Sequence, residues 1–169
     1  MQAAGCSLRI SSPDADETWP GGDPSDATIE IAKRKLAKID DPALTLAADT
    51  VVMIDGAPLG KPKDHDDAVR MLQMLAGREH RVVTGFCLRQ GNTYHADAVI
   101  TKVGFRPLTR EEIEYYISHG ESLDKAGAYA VQGIGGALID HIEGSYTNVI
   151  GLPLPEVLQA VDILAKAAP

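Results

Sequence analysis

The residues of this chain that could do chemistry gather around one carboxylate. Asp49 stands in the run "LTLAADTVVMI", between Ala48 and Thr50 at the head of a β-branched stretch, and "GKPKD" follows at 60–64. A lone Asp in a strand is either a structural carboxylate satisfied by a partner, as buried polar groups usually are, or a group that projects from the strand end into a cleft. In the second case desolvation raises its proton affinity toward that of a general base, or a divalent cation holds it ionised. Residue chemistry alone leaves both readings open.

Lys61 and Lys63 flank Pro62, which fixes the backbone between them and gives at least one ammonium a defined direction. The stretch fails the Walker pattern, which needs four residues between its glycines and a Ser or Thr after the Lys. It reads either as a phosphate contact or as a solvated pair after a hairpin. Glu17, in "DADET", is either part of an acidic loop or a ligand for a hard cation such as Mg²⁺, which takes carboxylate oxygens from separate loops. Lys35 reads as a solvent-facing helix lysine. Gln132, in "AYAVQGIGG", offers a donor and an acceptor that suit a base edge or the bracing of a loop. The glycines around it permit close backbone approach. The five histidines show no metal-ligand spacing.

These groups need elements to hold them. Cys6, Leu8 and Ile10 alternate with polar neighbours, which predicts a short first strand. Ser25 precedes a helical stripe of Ile29, Ala32, Leu36 and Ile39, predicting a helix over about 26–38. A strand over 44–54 ends at the tight-turn dipeptide Asp55-Gly56. Asp64 or Asp66 caps a second helix striped by Ala68, Met71, Leu72 and Leu75. Segments 80–89 and 93–105 form a hairpin about "QGN". Thr109 and Glu112 have capping-box spacing, with Gly120 as the stop. "ALIDHI" is the one strand-like run between 121 and 151, and Pro155 opens a last helix. The resulting order, β-α-β-α-β-β-α-β-α, points to a mixed sheet covered by helices in a single domain over 1–169.

Composition narrows the function. The chain has 169 residues, a net charge of −8 and no basic cluster beyond "AKRKLAK", so it offers no broad cationic surface for nucleic acid. Two cysteines are too few for a disulfide framework, and "MQAAGCSLRI" lacks the features of an export signal, so the expected location is the cytoplasm. No apolar run approaches the ~20 residues of a membrane helix.

Taken together, "AADTVV…GKP", "HRVVTG", "ESLDKAGAYAVQGIGG" and "IEGSYTNVIGLPLPEV" resemble the Maf family of nucleoside triphosphate pyrophosphatases, also called septum formation proteins, from about residue 4 to about 165. The resemblance implies an α/β (α+β) mixed sheet, elongated and two-lobed like that of the inosine triphosphate pyrophosphatases, with the nucleotide in a central cleft. It implies hydrolysis of a triphosphate to monophosphate and pyrophosphate with Mg²⁺ or Mn²⁺, by a homodimer. Asp49 would be the proton acceptor, and Glu17 with Asp49 would hold the metal or water. Lys35 and Lys61 would neutralise the phosphates. Thr50 and Gln132 match the positions that set apart a branch preferring dTTP and UTP from one acting on 7-methyl-GTP.

The family's opening strand and its "LASxSPRR" loop have no counterpart in "MQAAGCSLRISSP". The expectation is therefore a sheet short of one strand and a phosphate site short of two guanidiniums, with the neighbouring strand left as an open edge. A non-catalytic nucleotide-binding regulator of division or septum formation stands as the alternative function, and modified nucleotides as alternative substrates.

Overall fold

The computed structural model describes residues 7–167. Its first helix, α1 (Pro24–Ala37), starts where Asp23 accepts hydrogen bonds from the backbone N–H groups of Ser25 (2.9 Å) and Asp26 (3.4 Å). The cap therefore falls two residues before the expected Ser25, because Pro24 is suited to a first-turn position that needs no N–H donor. Ala27, Thr28, Ile31, Ala32 and Leu36 form the buried face. Ile31 takes the place expected of Ile29, and Ile39 lies beyond the helix end.

Five strands follow: β1 (Thr45–Ile54), β2 (Ala57–Leu59), β3 (Glu79–Gln90), β4 (Thr93–Phe105) and β5 (Ile139–Glu143). They form one sheet in the order β2-β1-β3-β4-β5, and all four pairings are antiparallel. Asp55 (φ 51°) and Gly56 (φ 77°) both take left-handed backbone and close the β1–β2 hairpin, as their types require. β2 covers only Val52–Ile54 of β1. Among the described residues, that edge of β1 has no strand partner along Thr45–Val51.

The strand expected at 6–10 is not formed within the described residues. Leu8 and Ile10 are irregular and exposed, and Cys6 lies outside the described residues. Alternation predisposes a segment to extended backbone, but a ladder needs a neighbour to pair with, and no strand of the sheet lies beside this one.

The remaining helices are α2 (His65–Leu75), α3 (Arg110–Ser118), α4 (Tyr146–Ile150) and α5 (Leu154–Ala167), with 3₁₀ turns at Ala126–Ala128 and Gly133–Leu138. Asp64 caps α2 by accepting from Asp67 N–H at 2.8 Å. The capping box of α3 closes in both directions, Glu112 N–H to Thr109 Oγ1 at 3.2 Å and Thr109 N–H to Glu112 Oε2 at 2.8 Å.

Strand periodicity sorts the helices between the two faces of the sheet. Val52, Val82 and Val103 pack with Leu72 and Leu75 of α2 and Ile113 and Tyr116 of α3. Phe86 and Leu88 pack under Val157, Ala160 and Leu164 of α5. On the other face, Ala47 and Cys87 meet Ala32 and Leu36 of α1, while Val51, Met53 and Val83 meet Trp19. Asp49 shares the α1 face with Ala47 and Val51. Thr50 belongs to the opposite face.

Candidate active site

Asp49 pairs across the ladder with Gly85 of β3. Gly85 is the reason α1 can lie so close. A Cβ there would overlap the backbone of Thr28 and Ile29 and would stand 2.7 Å from Thr28 Oγ1. With α1 seated on this bare strip of sheet, Lys35, rather less than two turns beyond Ile29, brings its Nζ to 2.7 Å from Asp49 Oδ1. The second partner of that ammonium is Glu17, whose Oε1 is 3.2 Å away. Lys35, expected to face solvent, is thus the centre of the cluster.

Glu17 comes from irregular chain, and two contacts hold its loop. Arg34 Nη1 donates to the carbonyl of Thr18 at 3.1 Å, and the Trp19 side chain packs against Val51, Met53 and Val83. Arg34 also lies 3.7 Å from Asp16. Helix spacing places Arg34 on the turn beside Lys35, so one helix supplies both the cluster's cation and the anchor of the loop that carries its second carboxylate.

The side chain of Asp49 is only 14 % exposed, that of Glu17 56 %. Burial is the main influence on Asp49 and raises its proton affinity above the ordinary carboxylate range; Glu17 adds to this, while Lys35 and Lys61 oppose it. Lys35 also loses hydration by burial, but its bonds to Asp49 and Glu17 outweigh that loss and keep it charged above its usual range. Asp49 Oδ1 is engaged by Lys35, and Oδ2 has no hydrogen-bond partner among the described residues. The result is a carboxylate with one oxygen without a partner among the described residues and a proton affinity raised toward that of a useful base.

A cleft of about 540 Å³ opens at this cluster. Glu17, Lys35 and Asp49 line one part of it, Thr50 and Gly151 another, and Lys61 with Asp124 and Lys125 a third. Although Asp49 and Thr50 point to opposite faces of the sheet, both border this cleft, where the edge of β1 has no strand partner among the described residues. Thr50 Oγ1 lies 2.9 Å from Thr84 Oγ1 and 3.2 Å from the carbonyl oxygen of Gly151, to which it can donate. Asn148, fully buried in α4, donates to Val82 O (3.0 Å) and Thr101 Oγ1 (2.9 Å) and so fixes α4, whose C-terminal end forms the wall beside Thr50.

Gln132 is not brought to the cleft. It is exposed, it precedes the Gly133–Leu138 turn, and its side chain caps nothing there. Gly133, which follows, has left-handed backbone (φ 68°). The residues that sequence reasoning passed over are Arg34, Thr84, Asn148, Gly151 and Lys125. All but Arg34 lie inside the family-like motifs quoted above.

The donor set bears on a divalent cation. No group of three or more His, Cys, Asp or Glu side chains suited to a metal occurs among the described residues. Glu17 and Asp49 nevertheless converge on one ammonium. Two carboxylates fit a hard cation that takes one or two protein ligands and completes its shell with phosphate oxygens and water, as Mg²⁺ does.

Against families of known proteins, the chain matches the model described as "Maf-like protein" over residues 1–164. It is 44% identical to a dTTP/UTP pyrophosphatase of Anaeromyxobacter sp. (strain Fw109-5), over 94% of this chain and 80% of that protein. It is 46% identical to one of Pyrococcus furiosus, over 83% and 76%. With one of Citrifermentans bemidjiense it shares 44% identity over 97% and 88%.

Proposed function

This chain belongs to the family of Maf-like proteins, and from that premise we propose that it hydrolyses dTTP and UTP to the monophosphate and pyrophosphate. The observation that carries the reading is the convergence of Asp49 and Glu17 on Lys35 at the cleft, whose lining also includes Lys61. In this reaction a water oxygen bonds to the α-phosphorus as the bond from that phosphorus to the β-phosphate oxygen breaks. Pyrophosphate leaves with the bonding pair. The free oxygen of Asp49 takes the water proton, and Lys35 holds the carboxylate ionised and oriented while it does so. Lys61 lies against the incoming phosphates, where an ammonium offsets charge that builds on the leaving group.

A triphosphate beside two carboxylates exceeds the charge that two lysines can balance. Glu17 and Asp49 would hold the divalent cation, Mg²⁺ or Mn²⁺, whose role when bound is to neutralise phosphate charge. The hydroxyl of Thr50 and the backbone carbonyl of Gly151, both on the cleft lining, supply a donor and an acceptor suited to the edge of a pyrimidine. No described helix is long and apolar enough to cross a membrane. The reading places the protein in the cytoplasm with the nucleotide pool, as a homodimer of the family type.

Pyrophosphate and dTMP or UMP should appear in equal amounts from dTTP or UTP with Mg²⁺ or Mn²⁺, with kcat/KM at least about tenfold above that for 7-methyl-GTP. Saturable dTTP binding without pyrophosphate release would overturn the reading.

Lys35→Met checks the role given to the central ammonium. Asp49 then keeps the burial and the Glu17 field that raise its proton affinity and loses the Lys35 bond that lowers it. Because the base must be deprotonated, the acid limb of kcat/KM should move to higher pH, and the plateau should fall by roughly 10²-fold. An acid limb that stays in place would mean that Lys35 does not control Asp49.

A further inference from the structure

The wall of the cleft formed by Asp124, Lys125 and Ala126 has no role in the reaction just described. Its backbone is unusually constrained. Gly127 (φ 70°) packs so closely on β1 that a Cβ would stand 3.0 Å from Val52 Cγ2. The next residue, Ala128, also has a positive φ (63°) and is fully buried. A left-handed non-glycine residue is uncommon, and it persists only where its surroundings over-determine it.

Those surroundings are on hand. Tyr129 is buried, and its hydroxyl lies 2.8 Å from Nε2 of the buried His80. His80, Phe105 and Tyr129 pack edge to face as a trio beneath the turn. Burial lowers the proton affinity of His80 to a pKa of about 4, so this base plate is uncharged at neutral pH. One further bond connects the turn to the first phosphate loop, Gly127 N–H to the carbonyl of Gly60 at 3.0 Å. The loops that carry Lys61 and Lys125 are therefore joined by their backbones at the cleft.

Lys125 itself is half exposed, and its Nζ sits 2.5 Å from Asp124 Oδ2. An exposed pair between chain neighbours contributes little to stability and does not account for a strained, buried turn beneath it. Asp124 is held below the usual carboxylate range chiefly by its bond to Lys125, with Lys61 acting in the same direction. The Asp124 carboxylate thus stands in the field of both lysines.

We infer that Lys125 is a second phosphate-binding lysine of this cleft, with Asp124 as the resting counter-ion that it exchanges for the pyrophosphate end of the substrate. The inference rests on the proposed triphosphate chemistry and extends it. With the α-phosphorus at Asp49, the β- and γ-phosphates have Lys61 and Lys125 as the remaining cations of the cleft lining, and both are on joined backbones. A polyphosphate carrying several charges outcompetes one carboxylate for an ammonium. Asp124 keeps the empty site from trapping lesser anions and competes with pyrophosphate at release.

The test uses pyrophosphate itself, read by calorimetry with Mg²⁺ and as an inhibitor of dTTP turnover. Lys125→Met should weaken pyrophosphate binding by about tenfold or more and raise KM for dTTP similarly, with Lys125→Arg restoring most of both. Asp124→Asn should act in the opposite sense, tightening pyrophosphate severalfold. Melting curves on each variant separate these effects from misfolding. Pyrophosphate affinity within twofold of wild type in Lys125→Met would overturn the inference, and so would weakening by Asp124→Asn. Absence of dTTP turnover in the wild-type protein would refute the activity instead, and the calorimetric comparison would still decide the role of Lys125.

Discussion

Asp49→Asn should reduce dTTP turnover by about 10³-fold, within the 10²–10⁴ range of a lost general base, while the protein keeps its fold. The amide has nearly the shape of the carboxylate, and its oxygen can still accept from Lys35, so the 2.7 Å contact to α1 has a replacement. What the amide lacks is a basic oxygen to take the proton of the attacking water. Lys35 keeps Glu17 as a counter-ion, which limits the cost of removing the other charge. The expected signature is a fall in kcat measured at saturating metal and nucleotide, a melting temperature within a few degrees of wild type, and no recovery of rate at any pH. Pyrophosphate release within about tenfold of the wild-type rate would remove Asp49 from the reaction and return it to a structural carboxylate.

The second large effect lies one strand away and involves no reactive atom. Gly85→Ala should destabilise the protein by about 3 kcal/mol or more, at the upper end of what overpacking costs, because the added methyl meets backbone and not a flexible side-chain end. In a chain of this size that corresponds to a fall of roughly 10 °C in melting temperature. Activity should fall further than stability. To relieve the overlap α1 must lift at Thr28 and Ile29, and the same helix carries Lys35 to Asp49 and Arg34 to the loop of Glu17. Gly60→Ala is the matched control, since a Cβ there meets nothing within 4 Å. Equal melting temperatures for the two variants would show that α1 does not rest on Gly85 as described.

Several elements were legible from residue order because their causes are local. The Thr109–Glu112 box, the Asp55-Gly56 turn and the α2 stripe of Ala68, Met71, Leu72 and Leu75 each satisfy a rule within a few residues, and each is present. The start of α1 misled because Asp23 and Ser25 are both good caps. Pro24 decides between them, since it fits the first turn that Asp23 opens. The strand expected around Leu8 and Ile10 shows the limit of periodicity, which describes what a segment prefers and says nothing of whether a neighbour exists.

For the site, residue types and motif context identified Asp49, Glu17, Lys35 and Lys61 as candidates, and they pointed to a phosphate chemistry with a divalent cation. Only the tertiary structure decided which of them meet. Lys35 reaches Asp49 because a glycine on β3 lets a helix lie against the sheet, a relation between residues 28 and 85 that no local pattern encodes. Asp49 and Thr50 are neighbours in the chain yet serve opposite faces of the sheet, since strand side chains alternate. Gln132, apparently well placed in its motif, is exposed away from the cleft, whereas Lys125 seven residues earlier lines it. Charge, hydrogen-bonding capacity and local propensity belong to each residue and can be read in order. Distance between residues far apart in the chain is set by packing, and packing is where this cleft was made.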